Sequence, residues 1–219
     1  MDKSTLIIFA KAPLPGKTKT RLIPEIGSQR AAHLHKKLVL HTLDTAQQAQ
    51  ADRIELWCAP SSDHPFFETC SQQFDITLHS QYGQDLGERM AHAIESALQY
   101  SHDVILIGTD CPSLTVDTLQ QAGDILKQGV DAVITPATDG GYVLLGLTRS
   151  APELFESIAW GSESVLQTTR DRLRKLGWQW QELAEHQDID RPEDLEHLMT
   201  DQTFRSILMS KDSDWLTHI

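Results

Sequence analysis

Short apolar runs rich in β-branched residues alternate with amphipathic stretches along the first 135 or so residues. The runs "TLIIFA" at 5–10, "RIELWCA" at 53–59, "DVILIG" at 103–108 and "DAVITPA" at 131–137 are near-continuously hydrophobic and only six or seven residues long. Such runs read as strands covered on both faces, the signature of a parallel sheet. Between them, apolar residues recur at helical spacing. Gly27-Ser28 opens a segment with Leu34, Leu38, Val39, Leu43 and Ala46 in phase, and a short helix is expected at 65–73. The stretch 85–100 places Leu86, Met90, Ala93, Ile94 and Ala97 on one face; Thr115 can cap a helix carrying Val116, Leu119, Ala122 and Leu126. Strand-helix alternation of this kind predicts a three-layer α/β/α architecture around a mainly parallel sheet. A further strand is expected at 75–80. Near residue 140 the rhythm breaks: "DGGYVLLGL" at 139–147 follows the preceding strand almost directly, which predicts a strand of reversed direction or a small side sheet. A helix at 162–176, an edge strand in "WQWQEL" and a helix beginning at "RPEDLEHLM" complete the pattern. With no repeat or long linker, one domain over 1–219 is expected.

Charge and motif searches exclude several functions. The net charge is −12, which disfavours nonspecific binding to nucleic acid, because that binding rests on neutralising phosphates. The longest apolar runs are far too short to span a bilayer, and "MDKSTLIIFAKAP" lacks the apolar core and cleavage site of an export signal, so a cytoplasmic location is expected. Three cysteines without a C-x-x-C suggest neither a disulfide framework nor a cysteine-rich zinc site; Cys58, closing a strand, reads as a small buried hydrophobe. H-E-x-x-H, G-x-S-x-G and a strand-linked G-x-G-x-x-G are all missing, which removes zincin, esterase and Rossmann readings.

The segment "FAKAPLPGKTKTRL" contains Gly16-Lys17-Thr18 but is not a P-loop: Lys11 stands where the first glycine belongs, and Pro24 interrupts just beyond. It nevertheless carries Lys11, Lys17, Lys19 and Arg21 with no acid among them, directly after the first strand. Open α/β sheets bind ligands at the carboxyl ends of their strands, so an anion is the expected partner of this loop. Asp110 ends an apolar strand in "VILIGTDCPSL" and can hold a hard cation, or can act as a turn residue before Pro112. Asp188 and Asp190 lie two apart, so on an extended segment they face the same way. Asp190 can also cap the helix that follows, with Glu193 at its third position. Asp139 precedes Gly140-Gly141, either a tight turn or a place where substrate approaches Tyr142 closely. Gly83 and Gly87 flank a helix N-terminus that could meet an anion or a base edge, with Arg89 near it. The histidines are scattered, and His33 and His35 do not share a helix face. Cation-bridged phosphate, with basic residues on the far side, is the simplest ligand for these strand-end loops.

Taken together and in order, "FAKAPLPGKTKTRL", "QDLGERM", "IGTDCPSL", "DGGYVLLGL", "WGSESVL" and "DIDRPEDL" resemble a bacterial family with the glycosyltransferase-A-like, nucleotide-diphospho-sugar transferase fold. Its members are labelled glycosyltransferases, including types associated with radical-SAM enzymes and with arsenosugar biosynthesis. The fold is also similar to that of molybdopterin-guanylyltransferase and phospholactate guanylyltransferase. The resemblance implies a transferase using a nucleotide-sugar or nucleoside triphosphate, a small-molecule acceptor, and Mg2+ or Mn2+. It places Lys11, Lys19 and Arg21 along the phosphates, and Gly16, Lys17, Gly83, Asp85, Gly87, Arg89 and Thr109, from the same strand-end loops, are the further candidates around the nucleotide. It makes Asp110 the first metal ligand and Asp190 or Asp188 the second. Gly140, Gly141, Tyr142 and Trp160 fall beside the substrate, with Asp139 as a general base. "WGSES" at 160–164 departs from the family's W-S-T pattern, on the acceptor side. Glycosyl transfer leads; nucleotidyl transfer and a non-catalytic nucleotide-binding module are the alternatives.

Overall fold

The computed structural model describes residues 3–195. Seven strands form one sheet: β1 (Ser4–Lys11), β2 (Arg53–Ala59), β3 (Thr77–Ser80), β4 (Asp103–Ile107), β5 (Ala132–Pro136), β6 (Tyr142–Leu147) and β7 (Trp180–Glu182), in the spatial order β3-β2-β1-β4-β6-β5-β7. The helices are α1 (Ile23–Ile26), α2 (Ser28–Gln48), α3 (Pro65–Gln73), α4 (Leu86–Leu98), α5 (Val116–Lys127) and α6 (Val165–Leu176). Every pairing is parallel except those of β6, which runs antiparallel to both β4 and β5. The reversal expected near residue 140 is therefore a strand inserted into the main sheet. Only residues 137–141 link β5 to β6, too few for the crossover a parallel neighbour needs.

Alternation along β1 explains the three layers. Leu6, Ile8 and Ala10 pack into an apolar cluster with α2, α3 and α5 residues such as Val39, Phe67 and Leu119. Ile7 and Phe9 point the other way, into a cluster with Met90 of α4 and Leu173 of α6. Fully burying one such side chain contributes about 1.5–3 kcal/mol, so a strand covered on both faces is worth more than one covered on a single face.

Helix ends follow the sequence closely. Thr115 caps α5, accepting from the Thr118 amide at 3.2 Å. Asp85 caps α4, accepting from the Glu88 amide at 2.9 Å, while the Glu88 carboxylate accepts from the Gln84 amide at 2.8 Å. Two local expectations are corrected. Leu86 is not on the buried face of α4 but 43% exposed, as the first residue of the helix. The cap at 190–194 is not the Asp190–Glu193 box: Asp194 Oδ2 accepts from the amides of Asp190 and Arg191 at 2.9 and 2.7 Å, which leaves the Asp190 carboxylate for other work. The rest of the helix expected from "RPEDLEHLM" lies outside the described residues, which end at 195. Among the described residues no helix is long and apolar enough to cross a membrane.

Candidate functional site

A cleft of about 550 Å3 opens at the carboxyl ends of β1 and β4. Four separate segments bring charge to it: the β1–α1 loop, the end of β4, the β5–β6 turn and residues 186–190. The last of these is placed by main-chain pairing. His186 bridges to Ala137 in parallel fashion, and the Ile189 amide donates to the Asp110 carbonyl at 2.8 Å. The segment is extended, so Ile189 turns inward and is 3% exposed, while Asp188 and Asp190 both line the cleft. The two-residue spacing thus has the consequence expected of it.

The β1–α1 loop divides its cations. Lys19 has a φ of +48°, the left-handed region, which few non-glycine residues occupy. That turn sends its side chain inward: Nζ lies 2.8 Å from Asp110 Oδ1 and 4.0 Å from Asp190 Oδ1, and donates to the Ile189 carbonyl. Arg21 is half-exposed and pairs with Asp190 Oδ2. Lys11 and Lys17 also line the cleft, exposed and without an ion pair among the described residues. Gly16 lies in the loop but off the cleft wall, at a φ of +78° that favours glycine there.

The carboxylates differ in how they are compensated. Burial alone would push the Asp110 carboxyl up, but Lys19, with help from His35 and Lys11, more than offsets this and holds it below the ordinary value. Its Oδ1 is enclosed, whereas the side chain as a whole is 47% exposed, so its other oxygen is the one open to the cleft. Asp188 has the reverse balance. Burial, together with the charges of Asp139 and Asp110, pushes it up to about 6 despite the nearby Lys19. Asp139 Oδ1 accepts from the Gly141 amide at 2.8 Å, forming the tight turn read from the sequence and fixing the carboxylate at the cleft. Gly140 is needed because a Cβ there would collide with the backbone of Glu163.

Thr109, Gly141, Tyr142 and Trp160 all line the cleft. Gly83, Asp85, Gly87, Arg89 and Gly140 do not. Asp85 is occupied as a cap, and Arg89 Nε donates to the Gly83 carbonyl at 3.1 Å. At Gly87, a Cβ would stand 2.8 Å from Trp160 Nε1. His35, set aside at the sequence level, belongs to the site. It is 4% exposed and lines the cleft, its Nε2 meets the Lys11 carbonyl at 2.9 Å, and its Nδ1 is 3.8 Å from Asp110 Oδ1. A carbonyl can only accept, so Nε2 carries a proton; burial lowers the pKa of the ring. The signal available was its place on the apolar stripe Ala31, Leu34, Leu38, where a histidine needs a polar partner.

The donor set bears on a metal. Among the described residues no three His, Cys, Asp or Glu side chains form a ready cage. The Lys19 ammonium lies between Asp110 and Asp190, at 2.8 and 4.0 Å from their Oδ1 atoms. Neither Asp188 nor Asp139 has an ion pair among the described residues, and Asp188 feels the charges of Asp139 and Asp110 besides. One or two carboxylates, with phosphate and water, are what Mg2+ takes from a protein, so these residues fit that ion as a partner of a phosphorylated ligand.

Residues 42–162 match the model of a family described as "Uncharacterized protein conserved in bacteria (DUF2064)". No curated protein matches the chain. Among solved structures, one from Desulfovibrio desulfuricans G20, titled a "putative nucleotide-diphospho-sugar transferase", is 32% identical, covers 95% of this chain and 94% of its own, and superposes with a TM-score of 0.84. A nucleotidyl transferase from Methanothermobacter thermautotroptrophicus is 12% identical over 94% of this chain and 100% of its own, with a TM-score of 0.63. CMP:2-keto-3-deoxy-manno-octonic acid synthetase, complexed with CTP, is 13% identical over 90% and 97%, with a TM-score of 0.58. The last two likenesses are of fold.

Proposed function

The chain belongs to the DUF2064 family and has the nucleotide-diphospho-sugar transferase fold, and from that premise we propose that it is a metal-dependent glycosyltransferase. Its donor is a nucleotide-diphospho-sugar and its acceptor a small molecule bearing a hydroxyl. One observation carries this reading: the β1–α1 loop, with two unpaired lysines, faces an undercompensated Asp188 across one cleft at the strand ends. A diphosphate would satisfy the lysines, and Asp188 and Asp110 would hold its Mg2+ or Mn2+. When bound, the cation offsets the charge that develops on the diphosphate leaving group.

The side chains divide the remaining work. Lys11 and Lys17 meet phosphate as point charges, and Arg21 exchanges Asp190 for phosphate oxygens, which its planar fork grips two at a time. Lys19 stays buried and holds Asp110 and the 186–190 segment in register. Asp139, its Oδ1 fixed by the Gly141 amide, presents Oδ2 to the acceptor hydroxyl as a general base. The four cations Lys11, Lys17, Lys19 and Arg21 balance the four carboxylates Asp110, Asp139, Asp188 and Asp190, so a cation and a diphosphate are more favourable together than either alone.

The test is turnover with purified protein, Mg2+ or Mn2+, and a panel of nucleotide sugars with alcohols, set beside nucleoside triphosphates with sugar phosphates. Nucleoside diphosphate release from a nucleotide sugar is the expected product. Pyrophosphate release from a triphosphate, with no diphosphate from any sugar donor, would replace this reading with nucleotidyl transfer.

A further inference from the structure

The cleft is chemically divided. Its charged side chains come from the β1–α1 loop, the β4 end and the 139 and 188–190 positions, whereas α4, the 160–162 loop and α6 contribute none. From these latter elements come Leu86, Met90, Trp160 and Val165, joined by Phe9 and Leu106 from the sheet. Phe9, Met90 and Leu106, with Tyr142 and Trp160 against them, belong to the apolar cluster on the α4 and α6 face; Cys111, on the charged side, belongs to the opposite one.

Two features of the apolar end are unusual for a surface with no ligand. Leu86 is one of three large apolar or aromatic side chains exposed among the described residues, and it is the one that lines the cleft. The Trp160 Nε1 is shielded from water yet has no hydrogen-bond partner, although buried polar groups ordinarily have one. Trp160 reaches this position because residue 87 is glycine: a Cβ there would meet the Phe155 carbonyl at 2.5 Å as well as the indole.

We propose that this end of the cleft is the acceptor subsite and that the acceptor is an uncharged alcohol with an apolar body, a ring or an alkyl chain, rather than a phosphorylated or carboxylated sugar. The proposal rests on the transferase reading of the same cleft. A charged acceptor entering here would lose its hydration with no opposite charge to replace it. An apolar body covers Leu86 and packs on the Trp160 ring at this end of the cleft. In the transfer, the acceptor oxygen bonds to the anomeric carbon and its proton passes to the Asp139 carboxylate. The bond from that carbon to the diphosphate oxygen breaks, and its electron pair leaves with the nucleoside diphosphate.

Calorimetry tests this in two arms. The first titrates ADP, CDP, GDP and UDP with Mg2+ into wild-type protein and into Leu86→Glu, a change at an exposed position in the first turn of α4, where an acidic residue suits the helix. The second titrates 2-phenylethanol, 1-octanol and glycerol 3-phosphate into both proteins, with and without the tightest diphosphate. The expected result is binding of the two apolar alcohols but not of glycerol 3-phosphate. Leu86→Glu should weaken the alcohols at least tenfold and change diphosphate affinity less than twofold. Preference for glycerol 3-phosphate, no alcohol binding, or indifference to Leu86→Glu would each overturn the proposal. Failure of every diphosphate to bind would instead strike the transferase reading, since the alcohols are read on the unloaded protein as well.

Discussion

Asp110 and Asp190 form one pair of carboxylates in the cleft, Asp139 and Asp188 another, and the two pairs live under opposite electrostatics. Asp110 and Asp190 are matched, one by the buried ammonium of Lys19 and the other by Arg21. Asp139 and Asp188 have no such partner among the described residues, and their mutual repulsion, added to burial, raises Asp188 to about 6. The matched pair holds the loops in register. The unmatched pair is poised for something that arrives from outside. Acidic residues that look equivalent in a strand-end loop thus have different tasks, and the difference lies in which cation the fold delivers to each.

The sharpest break of this comparison is Lys19→Met. It keeps the stem but leaves Asp110 and Asp190 facing each other with the Ile189 carbonyl unpaired. Removing one member of a buried pair costs about 3–5 kcal/mol, and the low end is expected because Asp110 is half-exposed. Urea unfolding at pH 7.5 measures it. The Asp110 pKa is depressed in the folded state, so the contribution of its pairing is fully present above the ordinary carboxylate value of 3.8 and is lost as pH falls through the lowered value. The difference between wild type and variant should therefore shrink in strong acid. A variant as stable as wild type at neutral pH would mean that Lys19 is a spectator.

Arg21→Ala separates register from ligand binding on the matched side. The pair with Asp190 is solvent-exposed, so stability should change by no more than about 0.5 kcal/mol. Affinity for a nucleoside diphosphate should fall at least tenfold, by about 1.5–3 kcal/mol, while a bare nucleoside is affected far less. Equal small losses for both ligands in calorimetry would show that this end of the loop is only solvated surface.

Asp188→Asn sharpens the comparison from the other side. Removing an undercompensated charge should stabilise the ligand-free protein at pH 7.5 by about 1 kcal/mol, a figure reduced for solvent screening because the group is partly open. The sign with pH is opposite to that of Asp110. The folded pKa is raised, so wild type gains stability as pH falls from about 6 toward 4, and the advantage of the variant disappears there. In thermal shift the variant should lose the stabilisation that Mg2+ adds in the presence of diphosphate. An unchanged Mg2+ effect would remove Asp188 from the cation's ligands.

The smallest effect belongs to Lys17→Ala. Its exposed, unpaired side chain predicts a stability change within about 0.5 kcal/mol. Diphosphate binding should weaken more at low than at high salt, since a point charge near the surface is screened.

Much of this was legible in the chain. The two-faced apolar runs specify covered strands, and the five-residue link before "YVLLGL" specifies a reversal, because neither depends on distant partners. Thr115 and the Asp139 turn are equally local: each side chain bonds an amide two or three residues on. The alternation of Asp188, Ile189 and Asp190 also survives, since period two is a property of extended backbone. The helix cap at Asp190 did not survive: the Asp194 carboxylate accepts from the amides of Asp190 and Arg191, and Arg21, 169 residues away, claims the Asp190 carboxylate.

Sequence alone therefore determined which segments are strands, where they turn, and which loops carry charge, all short-range consequences of sterics and hydrogen bonding. Only the tertiary structure decided that β6 enters the sheet between β4 and β5, that the 186–190 segment crosses to Asp110, and that Lys19 turns inward at a positive φ while Lys17 stays outside. Those outcomes fix the pairing of cation with carboxylate. That pairing is decided by distances of a few ångströms between residues 91 and 169 positions apart, where Coulomb energy and desolvation change steeply and the order of residues along the chain carries no record of either.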